Sequence, residues 1–321
     1  MSKIIGIGNV IVDIVLNIEN EQLLKKFGFP KGSQEHVNKK KFDDFYAALE
    51  SGDASTSAGG TAANTISALA NLGYETSFLG VIGDDEHGAF FKSEMKDSGV
   101  HTSLISKKGE TGKILHLITP DKQATTVGFP GVNDQFEPKD LSEQYFYGYN
   151  YLYIDGYLMK NQKLIEALAD FGRLNYMKVV FDLSSSHFAE SNREFLKKFI
   201  KNKVDILFAN DLEIFSYTRQ EPERAIRTIA KDCEIAVIKL GNRGSYIQRG
   251  EEFYHISAAP VDVEDTSGAG DLYAAGFLYG LMEGYHLTHC GKVGAFLASK
   301  ILQEKGARFS FETWREIKKM I

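Results

Sequence analysis

The stretch NYLYIDGYLMKNQKLIEALADFGRLNYMKVVFDLSS, residues 150–185, contains the pattern that decides the fold class. Its two short apolar runs, YLYID and KVVFD, have the length of strands. They flank a segment in which apolar residues recur every three or four positions, which is typical of an amphipathic helix. The stretch therefore predicts a strand, a helix and a second strand in succession.

The same alternation continues on both sides of this unit. Strands are predicted at SFLGVIG, VDILFAN and IAVIKLG, and helices at HGAFFKSEMKDSG, REFLKKFIKN and PERAIRTIAK. Strands that alternate with helices indicate an α/β fold: a doubly wound, mainly parallel sheet with helices on both faces and ligands at the carboxyl ends of the strands. We expect one such domain over residues 1–321.

Two regions, residues 10–40 and 110–130, interrupt this rhythm. In the second, TGKILHLIT and QATTVGFPG are typical of a hairpin that turns at Pro120 and Asp121. We interpret the two regions as one small β-sheet that protrudes from the main sheet. Its function would be that of a lid over the ligand site, because lids occur near strand ends. A plain extension of the sheet edge is the alternative.

Composition restricts the class of partner. The chain has 321 residues, 43% hydrophobic and 25% charged, with a net charge of -6. It can bury a full core, and it has no excess of basic residues for nucleic acid or an anionic membrane. Cys233 and Cys290 lie far apart, which indicates neither a disulfide framework nor a zinc ribbon. The expected partner is a small molecule, and the expected location is the cytoplasm.

The segment EDTSGAGDLYAAGFLYGLMEG, residues 264–284, is the strongest candidate for a functional site. A Gly-rich turn leads into a helix, so the backbone N–H groups of Gly268, Ala269 and Gly270 are expected to bind an anion. Asp271 follows in the first turn. It is either a helix-start carboxylate that only caps, or a base that accepts a hydroxyl proton beside a transferring phosphoryl group.

These residues carry a resemblance to a known family. DTSGAGD, residues 265–271, resembles the second signature of the PfkB family of carbohydrate and nucleoside kinases, and SAGGTAANTISALANLG, residues 57–73, resembles the first. GNVIVD, GDDEHG, NDLE and KLGNRG are also similar to family motifs and occur in the family's order. The resemblance spans nearly the whole chain. It implies a ribokinase-like fold and transfer of the γ-phosphoryl group of ATP to a primary hydroxyl.

The resemblance also implies roles for individual residues. Asp271 is the expected base, and the N–H groups from Gly268 to Asp271 stabilise charge on the transferring group. Residues that hold the substrate are expected at Asp13, Gly59, Gly60 and Asn64, since a carboxylate and an amide suit a vicinal diol and glycines allow close approach.

The nucleotide side of the site is assigned by the motifs NDLE and KLGNRG. The resemblance implies that Glu213 organises Mg²⁺ through water and that Asn210 faces the phosphates, although the same pattern is typical of a helix cap. Lys239, Gly241 and Gly244 are expected to contact the nucleotide, with a plain tight turn as the alternative. Family members differ in potassium dependence, so K⁺ is a further candidate cofactor, with Asp265 beside it.

Substrate choice depends on the small sheet. Similarity in GNVIVDIV, FPKGSQ and FANDLE favours adenosine or a related nucleoside first, and ribose or another small sugar second. Apolar groups expected to flank the substrate are Ile11, Val37, Leu117 and Phe129. Many relatives have an Arg in the hairpin where this chain has Ala124.

Two other classes of function are alternatives to a kinase. A catalytically silent, ligand-binding kinase-like module would not need Asp271, the GAG turn and Glu213 together. A nucleotide-dependent oxidoreductase would need a third glycine where GIGNVI has Ile11. The protein is expected to be a monomer, or a homodimer formed through the small sheet.

Overall fold

The computed structural model describes residues 2–49 and 54–321. Its strands are β1 (Lys3–Ile7), β2 (Ile11–Asn17), β3 (Gln34–His36), β4 (Ser55–Gly59), β5 (Glu75–Gly83), β6 (His101–Lys107), β7 (Gly112–Ile118), β8 (Ala124–Phe129), β9 (Tyr151–Asp155), β10 (Lys178–Asp182), β11 (Ile206–Asn210), β12 (Ile235–Lys239), β13 (Ser245–Arg249) and β14 (Glu252–Ile256). Its α-helices are α1 (Gln22–Phe27), α2 (Lys39–Ala47), α3 (Thr61–Asn71), α4 (Glu86–Asp97), α5 (Gln162–Leu174), α6 (Ser186–Ser191), α7 (Arg193–Lys203), α8 (Asp211–Thr218), α9 (Pro222–Ile229), α10 (Ala269–Met282), α11 (Leu287–Ile301) and α12 (Phe311–Ile317).

The large sheet has nine strands in the order β14-β13-β12-β11-β10-β9-β1-β5-β6. Neighbours from β12 to β6 pair in parallel, and β13 and β14 add an antiparallel edge. The order reverses at β1, whose neighbours are β9 and β5. In open α/β sheets such a reversal opens a crevice at the carboxyl ends of the strands. The predicted doubly wound α/β fold is confirmed.

Helices cover both faces of this sheet. Alternate residues of one strand enter different cores: Tyr153 packs with the helices α3, α10 and α11, whereas Leu152 and Ile154 pack with α5 and α7. All three side chains are fully buried. Burial on both faces explains why the strands are continuous apolar runs rather than alternating ones.

The small sheet has five strands in the order β3-β8-β7-β2-β4. Four of them lie within the two predicted regions, and β7 and β8 form the expected antiparallel hairpin. The fifth strand, β4, lies outside the two predicted regions, and it pairs antiparallel with β2. Its sequence, STSAG, has no bulky apolar residue, so periodicity gave no signal for it.

One face of the small sheet is covered by the chain itself. Phe42 and Phe45 of α2 are buried with Val12, Ile14 and Leu115 of the sheet. Burying a side chain of this size stabilises the fold by about 1.5–3 kcal/mol, so α2 fixes the small sheet firmly. The opposite face is left for a ligand.

Candidate active site

A cavity of about 300 Å³ lies between the two sheets. Asp13 and His116 reach it from the small sheet, and Gly268 and Asp271 reach it from the start of α10. This volume is at the lower end of the range for small-molecule sites. A wider cleft of about 940 Å³ adjoins it, and Asn9, His36 and Tyr157 line both spaces.

The Gly-rich turn before α10 is shaped as the sequence predicted. Gly268 caps the helix with a φ of 72°, and a Cβ there would lie 2.6 Å from the Cβ of Ala307, so only glycine fits. Within the described residues, the backbone N–H groups of Gly270 and Asp271 have no backbone acceptor. These donors, at the positive end of a 14-residue helix, suit an anion.

The carboxyl group of Asp271 is held by Asn64, whose Nδ2 donates to Asp271 Oδ2 over 2.9 Å. Burial raises the pKa of Asp271 from 3.8 to about 7, with Asp182 adding to the effect, while the Asn64 hydrogen bond and Lys239 act against it. A carboxylate with a pKa near neutrality is well matched to general-base catalysis.

Four adjacent strands of the large sheet, β9 to β12, have polar residues at their carboxyl ends. Register places Asp155 beside Asp182 and Asn210 beside Lys239. Lys239 Nζ donates to Asp182 Oδ2 over 2.9 Å and lies near Gly270, where a Cβ would be 3.3 Å away. Burial would lower the pKa of Lys239, but Asp182 and Glu213 outweigh it and raise the pKa. A charged ammonium therefore stands beside the Gly-rich turn.

The NDLE segment forms a helix cap, which is the alternative to a role in binding magnesium and phosphate. Asn210 Oδ1 accepts from the Glu213 N–H, and Glu213 Oε2 accepts from the Asn210 N–H. Glu213 also faces the wide cleft, and burial raises its pKa to about 7, with Asp182 contributing. A cation would relieve this buried acid, so the residue fits a magnesium ion held mostly by water and phosphate oxygens. The Glu213 side chain can therefore cap the helix and face a magnesium ion at the same time.

Asp13 has a partner that the sequence did not reveal. His116 Nε2 lies 2.9 Å from Asp13 Oδ1, across the parallel pair β2 and β7. Burial acts to lower the pKa of His116, but Asp13 outweighs it and the pKa is raised. Gly59 leaves room for the carboxylate, since a Cβ there would lie 1.9 Å from Asp13 Oδ2. Gly60, with a φ of 102°, lines the cavity.

Other predicted residues lie apart from the cavity. Gly241 and Gly244 form a turn after β12 and line neither space described above. Gly244 is required there because a Cβ would meet the Ile256 carbonyl oxygen at 1.9 Å. Asp265 accepts N–H groups from Ser267 and Gly306, which organises the loop before α10. Its role beside potassium stays a prediction.

The apolar wall differs in part from the prediction. Ile11 and Phe129 line the cavity, and Ile114 and Pro130 join them. The placement of Leu117 was wrong: it is fully buried in the core on the other face of β7, because its neighbour His116 occupies the cavity face. Val37 packs against the same core and is not among the lining residues.

Four polar residues of this region were not predicted from the sequence: His116, Asp155, Asp182 and Arg308. For Asp155 and Asp182 a signal existed, since each ends a buried apolar strand, YLYID and VVFD. Asp155 is 1% exposed, its Oδ2 has no hydrogen-bond partner among the described residues, and burial raises its pKa to about 6. His116 and Arg308 reach the site only through tertiary packing.

Across residues 2–49 and 54–321, no helix is long and apolar enough to cross a membrane. Among the same residues, no cluster of three or more His, Cys, Asp or Glu side chains forms a metal site. Any magnesium ion at Glu213 would therefore depend on oxygens from the nucleotide and water.

Comparison with known proteins agrees with this geometry. A family model described as pfkB family carbohydrate kinase matches residues 38–314. The chain belongs to this family. PfkB kinases are phosphotransferases with an alcohol group as acceptor, and they use ATP, generally with Mg²⁺. The family predicted from the two signatures is thus confirmed.

Individual relatives differ in what they are named for. An uncharacterized sugar kinase of Archaeoglobus fulgidus is 29% identical over 244 residues, covering 75% of this chain and 96% of the relative. A 5-dehydro-2-deoxygluconokinase of Geobacillus kaustophilus is 29% identical over 282 residues, covering 82% and 84%. The structure of an adenosine kinase from Sinorhizobium meliloti is 28% identical, covers 100% of this PfkB kinase and 99% of its own chain, and superposes with a TM-score of 0.89.

Proposed function

We propose that this PfkB kinase transfers the γ-phosphoryl group of ATP to a primary hydroxyl of a nucleoside, with adenosine as the first candidate. The observation that carries the proposal is that Asp13, on the small sheet, and Asp271, at the start of α10, line the same cavity. A hydroxyl-binding carboxylate on one wall and a base on the other suit a substrate with a diol at one end and a primary alcohol at the other.

The walls between these carboxylates favour a partly apolar ligand. Ile11, Ile114, Phe129 and Pro130 line the cavity, and Tyr157 adds an aromatic ring. Flat apolar walls are suited to a purine, which has a large π face and few charges. The similarity to the adenosine kinase from Sinorhizobium meliloti supports the same choice.

In this mechanism the chain's own residues bind, orient and move one proton. Asp13 Oδ1 is held by His116, so Oδ2 accepts from a substrate hydroxyl. Asp271 takes the proton of the primary hydroxyl as the new O–P bond forms, and ADP leaves with the electron pair of the broken bond. The Gly270 and Asp271 N–H groups and Lys239 stabilise the charge on the transferring group.

Magnesium, when bound, would shield the phosphate charge, and Glu213 is the residue that would hold it through water. Glu213 keeps its capping hydrogen bonds in this role, because a carboxylate has more than two acceptor positions. Asp182 contributes by holding Lys239 in place.

A second candidate substrate is ribose or another small sugar. Relatives named 5-dehydro-2-deoxygluconokinase support this class. Two imidazoles, His36 and His116, line the cavity and would donate to sugar oxygens more readily than to a purine face.

The test is a substrate panel with purified protein and Mg-ATP: adenosine, other nucleosides, ribose, fructose and 5-dehydro-2-deoxygluconate. ADP release and ³¹P NMR of the product give kcat/KM and the site of phosphorylation. We expect adenosine to have the highest kcat/KM, with 5′-phosphate as product. A higher value for a sugar would select the second candidate, and no turnover of any acceptor would refute both.

A further inference from the structure

Arg308 is a partly buried cation that has no carboxylate partner among the described residues. Within the described residues its side chain forms no ion pair, and its Nη1 is buried without a hydrogen-bond partner. Its Nη2 contacts the Met95 sulfur at 3.4 Å, which is a weak acceptor. Burial lowers the pKa of Arg308 to about 10, so the group stays charged at neutral pH. A charge withdrawn partly from water without an ionic partner costs stability, and an apolar side chain of similar size would avoid that cost.

The polar contact that Arg308 makes leads toward the base. Arg308 Nε donates to Asn64 Oδ1 over 3.4 Å, and Asn64 Nδ2 donates to Asp271 Oδ2 over 2.9 Å. A guanidinium can only donate and a carboxylate can only accept, so these two neighbours leave the Asn64 amide one orientation. Without Arg308, the amide could rotate and turn its oxygen toward Asp271.

The geometry points to Arg308 as a positioning residue that acts on the base Asp271 through the side-chain amide of Asn64. This inference rests on the proposed function only in naming Asp271 as the base. The chain of contacts exists independently of the acceptor. A cation kept at a cost in stability is expected where it orients a reacting group.

The ionisable groups around this chain of contacts set the expected pH behaviour. Asp271 interacts electrostatically with Lys239, Asp182 and Asp155, which lie on three strands of the large sheet. Arg308 interacts electrostatically with Glu94 and Asp13. Replacing Arg308 by an uncharged residue removes a positive charge near Glu94 and Asp13, whereas Lys239, Asp182 and Asp155, the charged groups that act on Asp271, are not substituted. Loss of the Asn64 donor raises the pKa of Asp271, because that hydrogen bond favours the ionised form.

The test uses Arg308→Met and Arg308→Lys in the full chain, with Arg315→Met as the matched control on the exposed part of α12. The carboxyl ¹³C signals of Asp-labelled protein are titrated without substrate, and the signal lost in Asp271→Asn identifies the base. For Arg308→Met we expect the Asp271 titration to move to higher pH, kcat at pH 7 to fall about 10-fold, and the melting temperature to stay or rise. Arg308→Lys should show a smaller shift of the Asp271 titration and a smaller fall in kcat. Arg315→Met should resemble the wild type.

A double-mutant cycle separates orientation from charge. In an Asn64→Ala background, Arg308→Met should leave the Asp271 titration unchanged, since the amide that transmits the effect is gone. The inference would be overturned if Arg308→Met shifted the titration of Asp271 equally in the Asn64→Ala background, or did not shift it in the single variant. A loss of kcat that only follows a lower melting temperature would also overturn it. If no acceptor is phosphorylated, the proposed function fails while the titration still decides the role of Arg308.

Discussion

The two sheets carry their polar residues in different places. The large sheet keeps its strands apolar and ends four of them in Asp155, Asp182, Asn210 and Lys239. The small sheet instead has Asp13 and His116 in the middle of paired strands, on the face toward the cavity. The large sheet thus presents polar groups at its strand ends, and the small sheet presents them on the face that lines the cavity.

This difference suits the two sheets to different tasks: the large sheet to phosphoryl transfer and the small sheet to binding of the acceptor. Strand ends of a doubly wound sheet are held by packing on both faces, which suits groups that must stay in place during phosphoryl transfer. The small sheet has one face covered by α2 and one face open to the ligand. Changes at the large sheet should therefore reduce kcat, and changes on the small sheet should mainly raise KM.

The largest expected effect is on the side of the large sheet, at Asp271 in the first turn of α10. Asp271→Asn cannot take the hydroxyl proton and should lower kcat at least about 100-fold, while ATP affinity stays similar or improves because a negative charge is removed. The melting temperature above pH 7 should not fall, since the raised pKa of Asp271 means that the fold disfavours the charge that the variant removes. Kinetics, nucleotide titration and thermal unfolding measure the three quantities.

The control for this variant is Glu86→Gln, an exposed acid in the first turn of α4. It should behave as the wild type. A role for Asp271 in capping alone predicts near-normal kcat with a stability loss of about 1 kcal/mol or less, and that result would remove it from the mechanism.

The next effect belongs to the small sheet. Asp13→Ala should raise KM for the acceptor about 10- to 100-fold, the value of one hydrogen bond to a charged group, and change kcat less. Asp43→Ala, an exposed acid of α2, is the matched control. Unfolding of Asp13→Ala with normal acceptor affinity in the remaining folded protein would instead assign Asp13 a structural role.

A smaller effect is expected from the partner of Asp13. The raised pKa of His116 means that its contribution to stability is full below its unfolded value of 6.5 and is lost as pH rises through the folded pKa. His116→Gln should therefore lower the melting temperature more at about pH 6 than at about pH 9. Equal losses at both pH values would show that the charge of His116 is not stabilised by Asp13.

The smallest effect concerns the contact between the hairpin and the loop before α10. Lys122 Nζ lies 3.2 Å from Glu264 Oε2, with the lysine side chain 73% exposed. Lys122→Ala should change the free energy of unfolding by less than about 1 kcal/mol and acceptor KM by less than about 2-fold. A loss as large as that of Asp13→Ala would mean that this contact, rather than the cavity face, controls binding.

Sequence predicted five strands of the large sheet, β5, β9, β10, β11 and β12, because each is a short apolar run beside a helix with its own periodicity. It also predicted the Gly268–Asp271 turn, which is continuous in the chain. It missed β4 in the small sheet, since STSAG packs by pairing rather than by apolar contacts. It missed His116, which meets Asp13 from 103 residues away, and Arg308, which contacts Asn64 from 244 residues away. Such pairs depend on strand register and tertiary packing, which local patterns do not contain.

The pH dependence of kcat/KM for the acceptor, measured for the wild type and for Asp271→Asn, tests the central claim most directly. Asp271 acts as a base when ionised, so wild-type kcat/KM should rise with pH and level off above its pKa of about 7. In Asp271→Asn the acid limb near pH 7 should disappear, leaving a low rate without that step. An unchanged limb in the variant would show that another group, such as Glu213, controls the ionisation, and would contradict the assignment of Asp271 as the base.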